Sequence, residues 1–177
     1  MSTSKLIKIS LMVALAFLLS QLQLYHFPHG GSVTLGSMVP LLLVSFRYGA
    51  KFGALAGFLF GLIEIFRDPF ILHPFQIWFD YPLSFMTMSL AGFFPQRLIL
   101  GTAVAFAGRL TCHFISGVVF FAEYAPEGTS PVIYSLTANA TYILPEFLIC
   151  CVILKLLLVE KFLTPTAHEE RSVPPES

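Results

Sequence analysis

Apolar runs about as long as a membrane is thick follow one another along this chain, which leaves it few ways to fold. Ile9 to Leu24 carries no charged residue, and comparable runs recur as far as Lys155. A span needs about 20 apolar residues. In hydrocarbon such a run folds as a helix, because a backbone group without a partner there is costly. Charged residues make up 11% of the chain and hydrophobic ones 56%, and mean hydropathy is +0.79. Soluble domains carry about 25% charged residues. The expected fold is an all-α integral membrane protein with six transmembrane helices, at about 5–25, 37–48, 50–67, 74–94, 98–122 and 132–159. They form one domain over 1–159, and the polar tail 160–177, with Pro165, Pro174 and Pro175, is expected to be disordered. The second span is short, so it tilts or breaks. The loop at 26–36, with Gly30, Gly31 and Gly36, reads as folded back towards the membrane.

Basic residues set the orientation. Lys5 and Lys8, then Arg47 and Lys51, then Arg97, then Lys155 and Lys161 fall on one side of this parsing. The other side carries Arg67 beside Asp68, then Glu123 and Glu127. The positive-inside rule therefore puts both termini in the cytoplasm of a multi-pass cell-membrane protein. Lys5 and Lys8 before an apolar run mimic a signal peptide, but no clear small-x-small cleavage site follows, so the run is read as the first span. Zero net charge gives no hint of a nucleic-acid partner. Cys112, Cys150 and Cys151 lie in apolar runs without a C-x-x-C and read as small hydrophobes. G-x-x-x-x-G-K-[ST], H-E-x-x-H and G-x-S-x-G are absent, so the chain has no P-loop of its own. His26 and His29 lack a second ligand cluster, and neither metal nor cofactor is expected. No inverted pair of broken helices suggests a complete secondary transporter.

The chemistry concentrates from the fourth span onward. His73-Pro74-Phe75-Gln76-Ile77-Trp78-Phe79-Asp80-Tyr81-Pro82 puts a carboxylate, an indole and a phenol into an apolar, aromatic run. A carboxylate in hydrocarbon is costly unless it faces a cavity or a partner. Asp80 beside Trp78 and Tyr81 therefore suggests a pocket for something cationic or rich in hydrogen-bond donors. Arg109 and His113, four apart, share a helix face. His113 reads either as a ligand contact or as a packed residue satisfied by a neighbouring helix. Arg109 reads as structural, neutralising Asp80 or Glu146 or bonding carbonyls at a helix end. Tyr124 to Tyr134 reads as a rim over a pocket or as an interfacial aromatic belt. Asn139, Tyr142 and Glu146 follow in the sixth span, where polar side chains face the bundle interior. Carboxylate, aromatics, His, Tyr and Asn together suit a cationic heteroaromatic ligand, held by charge, stacking and cation–π attraction. In the first span, Ser10-x-x-x-Ala14 and Ala16-x-x-x-Ser20 let another helix approach closely, either a docking partner or a neighbour in the same bundle.

The block from Gly30 to Pro40, the block from His73 to Leu83 and the stretch from Arg109 to Gly117 resemble the thiamine-specific substrate-binding (S) component of energy-coupling factor (ECF) transporters. The resemblance covers nearly the whole chain. It implies six membrane helices and an outward-facing thiamine pocket near the ends of the later ones. It also implies docking, through the small residues of the first span, with an ECF transmembrane coupling protein and two cytosolic ATPase subunits. ATP hydrolysis would belong to those partners, so the chain itself is not an enzyme. Carried over residue by residue, the family's substrate-binding positions fall on Asp80, Tyr81, His113, Phe121, Tyr134 and Asn139. Two departures stand out: the family pattern has Glu where this chain has Asp80, and Trp where it has Phe121. Asp is one methylene shorter, and Phe is a weaker cation–π face than Trp. The aromatic expected before the Gly-Gly block is supplied by Tyr25 or Phe27. The rival functions are an S component for another vitamin or a thiamine precursor, a small intramembrane enzyme using His113 with Asp80, and a stand-alone carrier.

Overall fold

The structure, a computed structural model, describes residues 2–27, 31–67 and 70–157. The tail at 160–177, and with it Lys161, lies outside the described residues, as do His29, Gly30 and Asp68. Helix α1 (Thr3–Ser20) leads into a two-stranded antiparallel hairpin, β1 (Gln23–His26) and β2 (Ser32–Thr34). Helices α2 (Val39–Tyr48) and α3 (Ala50–Arg67) follow. A broken helix comes next: α4 (Pro74–Trp78), a π-helical turn (Phe79–Leu83), α5 (Ser84–Met86) and a 3₁₀ stretch (Thr87–Phe93). Helix α6 (Leu98–Phe120), a short 3₁₀ turn (Ala122–Tyr124) and α7 (Pro131–Leu156) complete the order.

The fold is all-α apart from the hairpin, and α1, α6 and α7 are long and apolar enough to cross a membrane. Helix α3 has 18 residues as well, but it carries Lys51, Glu64 and Arg67. Leu11, Leu15 and Leu18 on α1, and Leu136, Leu144, Leu148 and Val152 on α7, face outward. Apolar surface on this scale suits hydrocarbon rather than water.

Helix α2, the short second element, runs through the middle of the bundle. Leu41, Leu42, Val44, Ser45 and Phe46 are all buried, packed mainly against α1, α3 and the 3₁₀ stretch. The first span ends at Ser20, short of the expected residue 25, because the next residues pair across the hairpin, with Tyr25 opposite Val33 and His26 opposite Ser32.

The small-residue motifs of α1 divide between two faces. Ser10 and Ala14 are exposed, whereas Ala16 and Ser20 are buried. This corrects the docking assignment for Ala16 and Ser20. Ala16 packs into the core, and Ser20 Oγ donates to Glu64 Oε1 at 2.7 Å, so neither is available to a partner.

The break in the fourth helix follows from Pro82, which has no N–H to give to the helical ladder. The widened turn is stabilised locally, because Ser84 Oγ donates to the Asp80 and Tyr81 carbonyls at 2.8 and 3.1 Å. A row of glycines on α3 lets this turn come close. A Cβ at Gly57 would lie 2.3 Å from the Phe85 carbonyl oxygen, and one at Gly61 would lie 2.7 Å from Pro82 Cα. Spacing of four puts Gly53, Gly57 and Gly61 on one face. Gly61→Val should overpack this contact and cost about 1–3 kcal/mol, read as a lower melting temperature of the detergent-solubilised protein. A variant as heat-resistant as the parent would mean that α3 and the broken helix do not meet here.

Candidate ligand-binding site

A cavity of about 540 Å³ opens between the hairpin, the broken helix, α6 and α7. That is within the size range of small-molecule sites. Its walls include Asp80, Tyr81, His113, Phe121, Tyr134 and Asn139, the six positions that the family resemblance selected. Trp78 is the exception. It is absent from the cavity walls and 55% exposed, because two residues along a helix is about 200° of rotation and turns it away from Asp80.

Each wall is set by local chemistry. His73 starts α4 by accepting the Phe75 N–H on Nδ1 at 3.2 Å, with Pro74 at the first helical position. The π-helical turn presents Asp80 to α6, where Oδ1 lies 3.3 Å from His113 Nδ1. The other carboxylate oxygen, Oδ2, accepts from Gln76 Nε2. Asp80 thus has two side-chain partners and lies at the cavity wall, as a carboxylate within an apolar bundle requires.

On α7, Ser130 and Pro131 give the start signal, and Tyr134 lies in the first turn. Ser135 and Asn139 tie α7 to α6: Ser135 Oγ donates to the Phe114 carbonyl at 2.9 Å, and Asn139 Nδ2 to the His113 carbonyl at 3.3 Å. The helices meet closely because residue 117 is Gly; a Cβ there would lie 2.1 Å from Ser135 Oγ. Tyr142 donates its hydroxyl to Asn139 Oδ1 at 2.6 Å and stands edge-on to the His113 ring, with centroids 5.9 Å apart. At the end of α6, Phe121 stacks against Phe70 at 5.8 Å. The Phe70 N–H donates to the Tyr81 hydroxyl at 3.0 Å.

The hairpin contributes His26, Phe27, Gly31 and Ser32 to the cavity. Of the two candidate aromatics there, Phe27 lines the cavity, while Tyr25 is exposed and stands edge-on to Phe27 at 4.7 Å. Gly31 has φ +84° and sits where a Cβ would be 2.6 Å from the Tyr142 ring. The anchor is Glu146, which accepts from the Thr34 N–H and Oγ1, both at 2.6 Å, and from Ser37 Oγ at 3.4 Å. Arg109 is not the partner of Glu146 or of Asp80. Among the described residues it forms an ion pair with neither; its guanidinium lies over the Phe85 ring at 4.9 Å.

Gln76, Phe70 and the Thr34–Glu146 anchor carry site geometry that the sequence reading did not single out. Gln76 was within reach, since it stands four residues before Asp80 on one helix face. Phe70 and Thr34 had no comparable signal, because their partners are distant in the chain.

The cavity is lined by the Asp80 carboxylate, braced by an amide and an imidazole, by the Glu64–Arg67 ion pair and the Arg109 guanidinium, by aromatic rings, and by amide and phenol groups for orientation. Such a lining suits a flat cationic molecule. A family model described as thiamine transporter protein (Thia_YuaJ) matches residues 6–164. The thiamine transporter ThiT of Bacillus subtilis (strain 168) is 39% identical over 174 residues, covering 88% of this chain and 90% of that protein. ThiT of Lacticaseibacillus paracasei is 30% identical over 141 residues, covering 68% of this chain and 70% of the relative. The solved structure of ThiT from Listeria monocytogenes superposes with a TM-score of 0.81 at 24% identity, covering 91% of this chain and 97% of that one.

Thr34→Val removes the hydroxyl that donates to buried Glu146, a loss of about 1–3 kcal/mol. Faster amide hydrogen exchange across residues 31–37 is the expected result, and unchanged protection there would show that Glu146 does not hold the hairpin.

Proposed function

Since the chain belongs to the thiamine transporter protein family, we propose that it is the substrate-capture (S) subunit of an ECF-type vitamin importer and that its ligand is thiamine. Thiamine joins a thiazolium cation to an aminopyrimidine, so it needs a counter-charge, flat apolar faces and hydrogen-bonding groups. The observation that carries the reading is the meeting of Asp80 with His113, Phe121, Tyr134 and Asn139 around one cavity. Asp80 supplies the counter-charge, Phe121 and Tyr134 supply ring faces, and Asn139 with Tyr142 supplies amide and phenol groups.

In this reading the chain crosses the membrane six times, with both termini in the cytoplasm and the cavity open to the outside. The broken helix and α3, with the buried α2, make up the three spans beyond α1, α6 and α7. Excess Lys and Arg on one side supports the orientation. The protein performs no chemistry on its ligand. A transmembrane coupling protein and two cytosolic ATPases supply the work, and the exposed face of α1 around Ser10 and Ala14 is the surface offered to them. Vitamin bound from outside is delivered inward in that complex.

Asp80→Ala leaves the cationic ring without its charged partner. Removing one member of a buried charged pair costs about 2–5 kcal/mol, so thiamine affinity should fall by at least about 30-fold in calorimetric titration of the purified protein. Full-strength binding by this variant would remove Asp80 from the site. Mass spectrometry of the molecule retained through purification tests the ligand directly; a different vitamin or a thiamine precursor there would replace thiamine in the assignment.

A further inference from the structure

Gln76 is a polar side chain only 1% exposed in an apolar bundle, and its whole amide is engaged. Its Oε1 accepts the Leu72 N–H at 3.1 Å. Its Nε2 donates to the Phe70 carbonyl at 2.9 Å and to Asp80 Oδ2. The amide can sit only one way round. Leu72 N–H is a donor and demands the oxygen, whereas a carbonyl and a carboxylate demand the nitrogen. With Gln76 on Oδ2 and His113 on Oδ1, the plane of the Asp80 carboxylate is fixed from two sides. The same amide fastens residues 70–72, which bring Phe70 to the cavity wall.

We propose that Gln76 is a positioning residue for the ligand's positive charge: from its place in the cavity wall it sets the Asp80 carboxylate. The inference rests on the thiamine reading, because it needs a cationic ligand at Asp80. Gln76 does not have to touch the ligand to act. A shorter acid such as Asp reaches a fixed charge only if its carboxylate is held at the right angle, and the Gln76 amide, one helical turn earlier, supplies that hold.

The test is titration of the purified full chain with two ligands, thiamine and its neutral thiophene isostere, in which carbon replaces the charged ring nitrogen. Gln76→Met removes the amide at similar volume, and Gln76→Asn keeps an amide one methylene too short to span Leu72 and Asp80. A hydrogen bond to a charged group corresponds to about a 10- to 100-fold change. Both variants should lose thiamine affinity on that scale and affinity for the neutral isostere by less than about threefold, as expected where the loss comes through charge. Combined with Asp80→Asn, neither should weaken thiamine binding further, since the groups act as one unit. Equal losses for the two ligands would reduce Gln76 to a packing role and overturn the proposal, as would losses that add to those of Asp80→Asn. If Gln76→Met does not fold, Gln76→Asn decides the matter. A wild-type chain that binds no thiamine overturns the functional reading and this inference together; wild-type binding with unaffected variants overturns this inference alone.

Discussion

A carboxylate cannot rest in an apolar bundle without partners, and the architecture answers to that constraint three times. Glu64 takes Ser20 and Arg67, with Arg67 Nη2 2.8 Å from Glu64 Oε2. Glu146 takes Thr34 and Ser37. Asp80 takes Gln76 and His113. Each acid thereby joins segments far apart in sequence: α1 to α3, the hairpin to α7, and the broken helix to α6. Desolvation makes these links obligatory, because an isolated buried charge costs far more than a hydrogen bond returns. Glu146 shapes a structural joint, whereas Glu64 and Asp80 both border the cavity, Glu64 already paired with Arg67.

The geometry that brings Asp80 to His113 begins with a defect. Pro82 interrupts the helical ladder and widens the turn, and Ser84 Oγ bonds the Asp80 and Tyr81 carbonyls beside it. A thicker neighbour would not tolerate the irregular backbone, but α3 presents glycines at the points of nearest approach. In a membrane, close backbone approach and dispersion replace the hydrophobic drive between helices. The cavity wall is therefore supported at Gly57 and Gly61, with the Phe60 ring edge-on to Phe85 between them. On the opposite side, Gly117 does the same for α6 and α7, and lets Ser135 and Asn139 reach main-chain oxygens across the helix gap.

Much of the site was legible because its residues are chemically expensive where they stand. Asp80 and Asn139 announce themselves in apolar runs, and the order of motifs around them matches a known family. Trp78 shows where that logic fails: proximity in sequence to Asp80 suggested a shared pocket, while helical rotation turns the indole outward. Ala16 and Ser20 show the same weakness, since spacing of four marks a close-packing face without saying which neighbour packs on it. The hairpin was expected only as a loop, because strands of three or four residues with little alternation leave almost no periodic trace.

By itself the sequence determined that this chain is built of apolar helices and that a carboxylate, aromatics and an amide stand in its apolar runs from His73 onward, because hydrophobicity and the cost of buried charge are properties of residues one at a time. Tertiary structure alone decided which side chains meet. Gln76 braces Asp80, Glu146 holds the hairpin rather than pairing with Arg109, and Phe70 closes on Phe121. Those pairings depend on how far one helix is rotated and how closely it approaches another, and both are fixed by packing between segments that no local pattern relates.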